Sequence, residues 1–196
     1  MPNTVCATLS TGLLADLCGK GNEAGFLDTM YLIPFDAIDR TLSTRTGQTL
    51  SALVLKTTRH GYKLRGKDYS NEMACEFVPG TFSDRWKHSV PFKVLEDSVT
   101  ADEWLNSLIG SKVVAVLIKN TAIGNETNGF LVAGFDRGLK VISAAANFAD
   151  NDSKGAFDVK LESHEKALEL RSPLRYVMST ADVTLAALEA LCAVTP

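Results

Sequence analysis

The sequence predicts an α+β protein: a predominantly antiparallel, barrel- or sandwich-like β-sheet with one flanking helix mid-chain and another at the C-terminus. Three observations predict it. Short segments with period-two alternation recur from about residue 29 to residue 162. Only two longer stretches carry a helical apolar stripe with start and stop signals. Strands and helices do not alternate in the βαβ rhythm of a parallel sheet.

Taken in order, Leu13, Leu14 and Leu17 between Thr11 and Gly19 fit a short helix capped by Ser10 or Thr11. Gly19 to Gly25 reads as a flexible loop. Met30 to Ile33 is a strand closed by Pro34, and Asp36 caps a turn over Ala37, Ile38 and Asp39. Leu50 to Lys56 is apolar enough for a buried strand, and Gly61 to Gly66 alternates strictly. The short link from Thr57 to Gly61 predicts a hairpin between them. Glu72 to Val78 sets Met73, Cys75 and Phe77 on one face. Arg85 to Leu95 sets Trp86, His88, Val90, Phe92 and Val94 together, with Pro91 marking an edge or a bulge.

Thr100 and Glu103 form a capping box before the stripe Trp104, Leu105, Leu108 and Ile109, which Gly110 stops. Lys112 to Lys119 and Gly129 to Phe135 form a hairpin with a long polar tip. Phe157, Val159 and Leu161 mark one more strand. A closing helix runs from Ser179 or Thr180 to Ala193, with Leu185, Leu188, Leu191 and Cys192 as its apolar face. The expectation is about seven strands in one domain, residues 1–196. Residues 1–28 are a helix-and-loop extension, 29–165 the β-rich core and 166–196 a helical extension.

With 45% hydrophobic and 22% charged residues, the composition is that of a packed globular chain. The net charge of −3 is modest but unevenly spread: residues 51–93 hold eight basic and four acidic side chains, against nine and fourteen in 94–196. The N-terminus lacks the cationic start and apolar run of a secretory signal. The longest apolar run, Val113 to Ile118, is a strand's length, not a membrane span. Cys6, Cys18, Cys75 and Cys192 are scattered without CxxC spacing, so reduced, buried thiols are expected.

Enzymatic chemistry needs convergent polar groups, and the sequence does not advertise them. His60, His88 and His164 lie on separate segments without metal-ligand spacing. Gly19-Lys20-Gly21 lacks the length and the Ser or Thr of a phosphate loop. Asp150 and Asp152 lack the glycine and terminal glutamate of a calcium loop. No catalytic, cofactor or metal residue is assigned, and no cofactor is expected. The one charged feature with a shape is Lys56, Arg59, Lys63, Arg65 and Lys67 around Tyr62, a stretch without an acid. These six residues are the candidates for inter-subunit contact, ahead of nucleic-acid binding and of a solvated edge.

Three stretches and one unit carry a resemblance: Met30-Tyr31-Leu32-Ile33-Pro34-Phe35-Asp36-Ala37-Ile38-Asp39, Asn71 to Phe77, His88-Ser89-Val90-Pro91-Phe92, and the helix–strand unit Trp104 to Ile118. In order and pattern over residues 5–165 the chain resembles tail-tube or tail-ring proteins of tailed bacteriophages, of the Bacteroides-phage or crAss-like type. The resemblance implies a non-enzymatic virion subunit that forms rings around a DNA-conducting channel. It implies as partners copies of itself, six being one candidate count, and adjacent tail or neck proteins, with assembly in the bacterial cytoplasm. A neck, connector or capsid-associated protein is the nearest alternative. An enzyme using His88 with Glu76 or Asp84 is the alternative of another class.

Overall fold

The computed structural model describes residues 25–66, 70–80, 83–94, 98–120, 129–146 and 156–192. The predicted helix at Thr11–Gly19, most of the Gly19–Gly25 loop, the long hairpin tip after Asn120, and Asp150 and Asp152 lie outside them.

Eleven strands and two α-helices follow in order: β1 (Phe26–Pro34), β2 (Thr44–Thr46), β3 (Thr49–Ala52), β4 (Tyr62–Arg65), β5 (Ala74–Val78), β6 (Arg85–Val94), α1 (Val99–Ile109), β7 (Val113–Lys119), β8 (Phe130–Ala133), β9 (Leu139–Ala146), β10 (Phe157–Ser163), β11 (Leu174–Tyr176) and α2 (Ala181–Cys192). The α+β class holds, and the sheet is predominantly antiparallel, with one parallel ladder between β11 and β3. It does not close into a barrel. One path runs β2-β3-β11-β8-β7-β9-β10-β6-β5, while β1 branches from β7 and carries β4. β7 meets β9 through the single pair Val113↔Leu139, and there the sheet folds over on itself.

Burial explains that fold-over. β1 and β7 are apolar at successive positions because both of their faces are covered. Tyr31, Ile33, Val114, Val116 and Ile118 face a core completed by Leu50, Val132, Tyr176 and Leu188 of α2. Met30, Leu32, Ala115 and Leu117 face a second core with Val90, Phe92, Val159, Leu161 and, from α1, Leu105 and Leu108. The period-two rule sorts each strand's side chains between the two cores. Full burial of a leucine such as Leu188 contributes about 2–3 kcal/mol, which holds α2 against the sheet.

Several local expectations are corrected. α1 is capped by Ser98, whose Oγ accepts from Ala101 N (3.1 Å), so the helix starts before the Thr100–Glu103 box. The expected start of the closing helix holds: Thr180 caps α2, its Oγ1 accepting from Val183 N. Asp39, not Asp36, organises the turn after β1, its Oδ1 accepting from Thr41 N and Leu42 N. The predicted hairpin between Leu50–Lys56 and Gly61–Gly66 does not form: β3 pairs β2 and β11, and β4 pairs β1. Burying Tyr31 and Ile33 of β1 under α2 puts β4, which also touches that helix, beside β1. Pro91 lies beyond the end of the β5–β6 ladder, where its missing N–H breaks no pairing with β5.

Candidate functional site

Residues 56–59 make a tight turn closed by Arg59 N donating to Lys56 O (3.0 Å), with Thr58 at φ 67°, a left-handed conformation uncommon for a β-branched residue. Gly61 then passes so close to α2 that an added Cβ would lie 3.0 Å from Cys192 Sγ and 3.2 Å from Ile33. Gly61 N donates to Leu191 O (2.8 Å), tying the start of β4 to the last turn of α2.

The candidate cations are stitched to acids of the same chain. Lys63 Nζ donates to Glu189 Oε1 (2.6 Å), Arg65 Nε to Asp28 Oδ2 (3.0 Å), and Arg59 lies 3.5 Å from Asp36. Lys56 Nζ donates to Asp36 O (2.7 Å). Lys67 lies outside the described residues. The carboxyl of Asp28 is held below its ordinary range by its hydrogen bond from Arg65, and that of Glu189 by those from Lys63 and Tyr31. Tyr31 OH donates to the same Glu189 oxygen (2.7 Å), and burial pushes its phenol pKa up. Burial likewise pushes the Cys192 thiol up to about 11, away from nucleophilic use. The structure therefore divides the candidates between two faces: Arg59 and Tyr62 line the cleft beside Trp104 of α1, whereas Lys63 meets Glu189 of α2, and much of their charge is matched locally.

Tyr62 is the exposed apolar member, 41% accessible. Its ring meets His60 and Trp104 edge-on, at centroid distances of 5.5 and 6.4 Å. Beside it a cleft of about 250 Å³ is lined by Leu32, Pro34, Asp36, Arg59, Trp104 and Ser107, among others.

The catalytic alternative fares differently. His88 is 2% accessible, and both ring nitrogens are engaged by backbone. Nδ1 accepts from Gly134 N (3.2 Å) and Nε2 donates to Arg171 O (3.0 Å). These partners fix a neutral ring with its proton on Nε2, and burial pushes its pKa down to about 4. Neither nitrogen is left to work with Glu76 or Asp84, which are exposed. His164 is exposed, its Nδ1 accepting from Lys166 N. Among the described residues no group of three or more His, Cys, Asp or Glu is placed to hold a metal ion.

Sequence reasoning missed two features. Glu169, 1% accessible, accepts from the N–H groups of Asp136 (2.8 Å) and Arg137 (2.9 Å) in the β8–β9 turn. Burial dominates there and raises its carboxyl pKa. In that turn Gly134 sits at φ 77°, and an added Cβ would lie 2.6 Å from Leu139 Cγ. Asp136 takes Arg45 at 2.7 Å, and Arg40 stacks over Phe35 and Phe135. The second feature is β5, exposed along almost its whole length. Cys75 on it is a free and exposed thiol, against the expectation of burial, because β5 is an edge strand; Cys192 is free and half-buried. The Met73/Cys75/Phe77 alternation was the available signal, but it does not say which strand ends the sheet.

No family model, curated protein or solved structure matches this chain. No helix among the described residues is long and apolar enough to cross a membrane.

Proposed function

We propose that this chain is a structural subunit that works by joining copies of itself, and that its assembly is the tail tube or tail ring of a tailed bacteriophage virion, as the resemblance implies. The observation that carries the assembly reading is the open sheet. Among the described residues β2, β4 and β5 each pair on one side only. An unpaired edge presents backbone donors and acceptors that a neighbouring chain can complete. Large apolar side chains also stand exposed around the molecule, among them Leu42, Phe77, Val99, Ile109 and Ile142.

In this reading Tyr62 and the β4 side form one inter-subunit surface, and rings of subunits conduct viral DNA. The internal pairing of Lys63 and Arg65 argues against nucleic acid as the primary ligand of that surface, since few of its cations stand ready for phosphate. The engagement of both His88 nitrogens argues against the His88 enzyme. The test is the mass of the full chain in solution, with negative-stain images at rising concentration. Rings, short tubes or a stable oligomer support the proposal. A strictly monomeric protein at every concentration refutes self-assembly.

A further inference from the structure

We propose that β5 is the edge through which two copies of this chain join, as an antiparallel β5–β5 pair about a two-fold axis at Cys75. The proposal rests on the self-association reading above and adds the strand, the partner and the register.

The phase of β5 follows from its neighbours. Trp86 exchanges both backbone hydrogen bonds with Glu169 across the far side of β6 (2.9 and 2.9 Å). Its partner on β5, Phe77, therefore sits in a non-bonded pair and turns its N–H and C=O outward. From the other end, Glu72 N donates to Pro91 O (3.1 Å), fixing the same phase. Even positions bond to β6, and the backbone N–H and C=O groups of Met73, Cys75 and Phe77 point away from β6 along the edge.

Among the described residues the edge is also lightly guarded. Natural edges are blunted by charge, proline or brevity, yet Ala74–Val78 carries one charge, Glu76, and no proline. Phe77 is 48% exposed, its ring edge-on to Trp86 at 5.6 Å.

The choice of partner follows from register. An added strand must meet outward groups with outward groups. On β4 the outward positions are Lys63 and Arg65, because Gly66 N bonds to Asp28 O on the β1 side and Gly61 N to Leu191 O on the other. Pairing β5 with β4 would lay those two cations beside Cys75 and Phe77 and set Glu76 against Tyr62 or Leu64, charge against apolar at each step. A β5–β5 pair centred on Glu76 would oppose two carboxylates. Centred on Cys75, every outward position is matched: Met73 meets Phe77, Cys75 meets Cys75, and Glu76 meets Ala74. Met73, Cys75 and Phe77 then make one apolar stripe across the junction. Such an isologous contact joins subunits in pairs; it does not by itself generate a ring.

The test uses the full chain with Cys6→Ser and Cys18→Ser, leaving Cys75 and the half-buried Cys192. Paired Cα atoms in a bonded position lie about 5.5 Å apart, with Cβ atoms wider apart than a relaxed disulfide prefers, so a short bis-maleimide is used as the cross-linker. It is expected to give a species of twice the 21.1 kDa chain mass, lost on Cys75→Ser. By sedimentation, Phe77→Lys and Cys75→Pro, the latter removing only an outward donor, are expected to return the protein to monomer with unchanged circular dichroism. Association that persists in both edge variants overturns the β5 proposal and leaves self-association standing on another surface. An edge-dependent dimer whose Cys75 thiols do not cross-link overturns the register. A monomer at every concentration overturns both proposals.

Discussion

Acidification tests how His88 is built into the sheet. Burial pushes its folded pKa from 6.5 to about 4, and Nδ1, which would take the second proton, already faces the N–H of Gly134. In the unfolded chain the imidazole protonates near its ordinary 6.5. As pH falls from 7 towards 4, the unfolded state therefore takes up a proton that the folded state refuses, and stability drops. The contribution is fully present above pH 6.5 and lost by about pH 4. A shift of about 2.5 units at about 1.4 kcal/mol each makes the loss about 3.5 kcal/mol, a large part of a typical domain's stability. Urea unfolding followed by tryptophan fluorescence at half-unit pH steps measures it, with His88→Gln as the non-titrating reference. The variant is less stable at pH 7 but lacks the slope between 6.5 and 4. The carboxylates of Asp28, Asp39 and Glu189, held low in the folded state, contribute equally to both proteins. Equal slopes in the two proteins, or an imidazole titrating near 6.5 by NMR, would refute the reasoning.

Four further outcomes are expected. Thr58→Gly, relieving the left-handed φ, stabilises the protein by about 1 kcal/mol in denaturant unfolding; a destabilised variant would contradict strain at that turn. Glu169→Ala strips the acceptor from two N–H groups and costs about 2–4 kcal/mol, with Glu169→Gln costing less because one oxygen remains. Leu188→Ala costs about 3 kcal/mol and raises amide exchange along α2 and at Gly61 more than in β10. Lys63→Ala removes a half-exposed ion pair and shifts stability by less than about 1 kcal/mol. A change in association caused by that substitution therefore reports on the surface rather than on folding.

What the sequence disclosed follows the range of the interactions involved. β7 and β1 are legible because two-sided burial writes an unbroken apolar run. The face of β6 that carries His88 is legible because one-sided burial writes a clean alternation. β9 was missed: its C-terminal half is serine and alanines, small side chains left exposed outside the core. β11 was missed because three residues are too few to show a period. The partner of β4 was misassigned because turn length proposed a neighbour in sequence, whereas the cores above and below β1 chose one distant in sequence. The same distance hid the state of the basic segment. Lys63 meets an acid on α2 and Arg65 one on β1, contacts that no local window contains. The barrel was expected from strand number, but closure depends on the pairings of edge strands, which the alternation leaves open.

The pairing of Met30 with Leu117 sets a timetable for biosynthesis. At about 5–20 residues per second, β1 leaves the ribosome on the order of ten seconds before β7 is made. Meanwhile Met30-Tyr31-Leu32-Ile33, destined for complete burial on both faces, has neither its central neighbour nor either of its cores. The nascent chain is thus most exposed to aggregation early in synthesis, and a holding chaperone would find its natural target at β1.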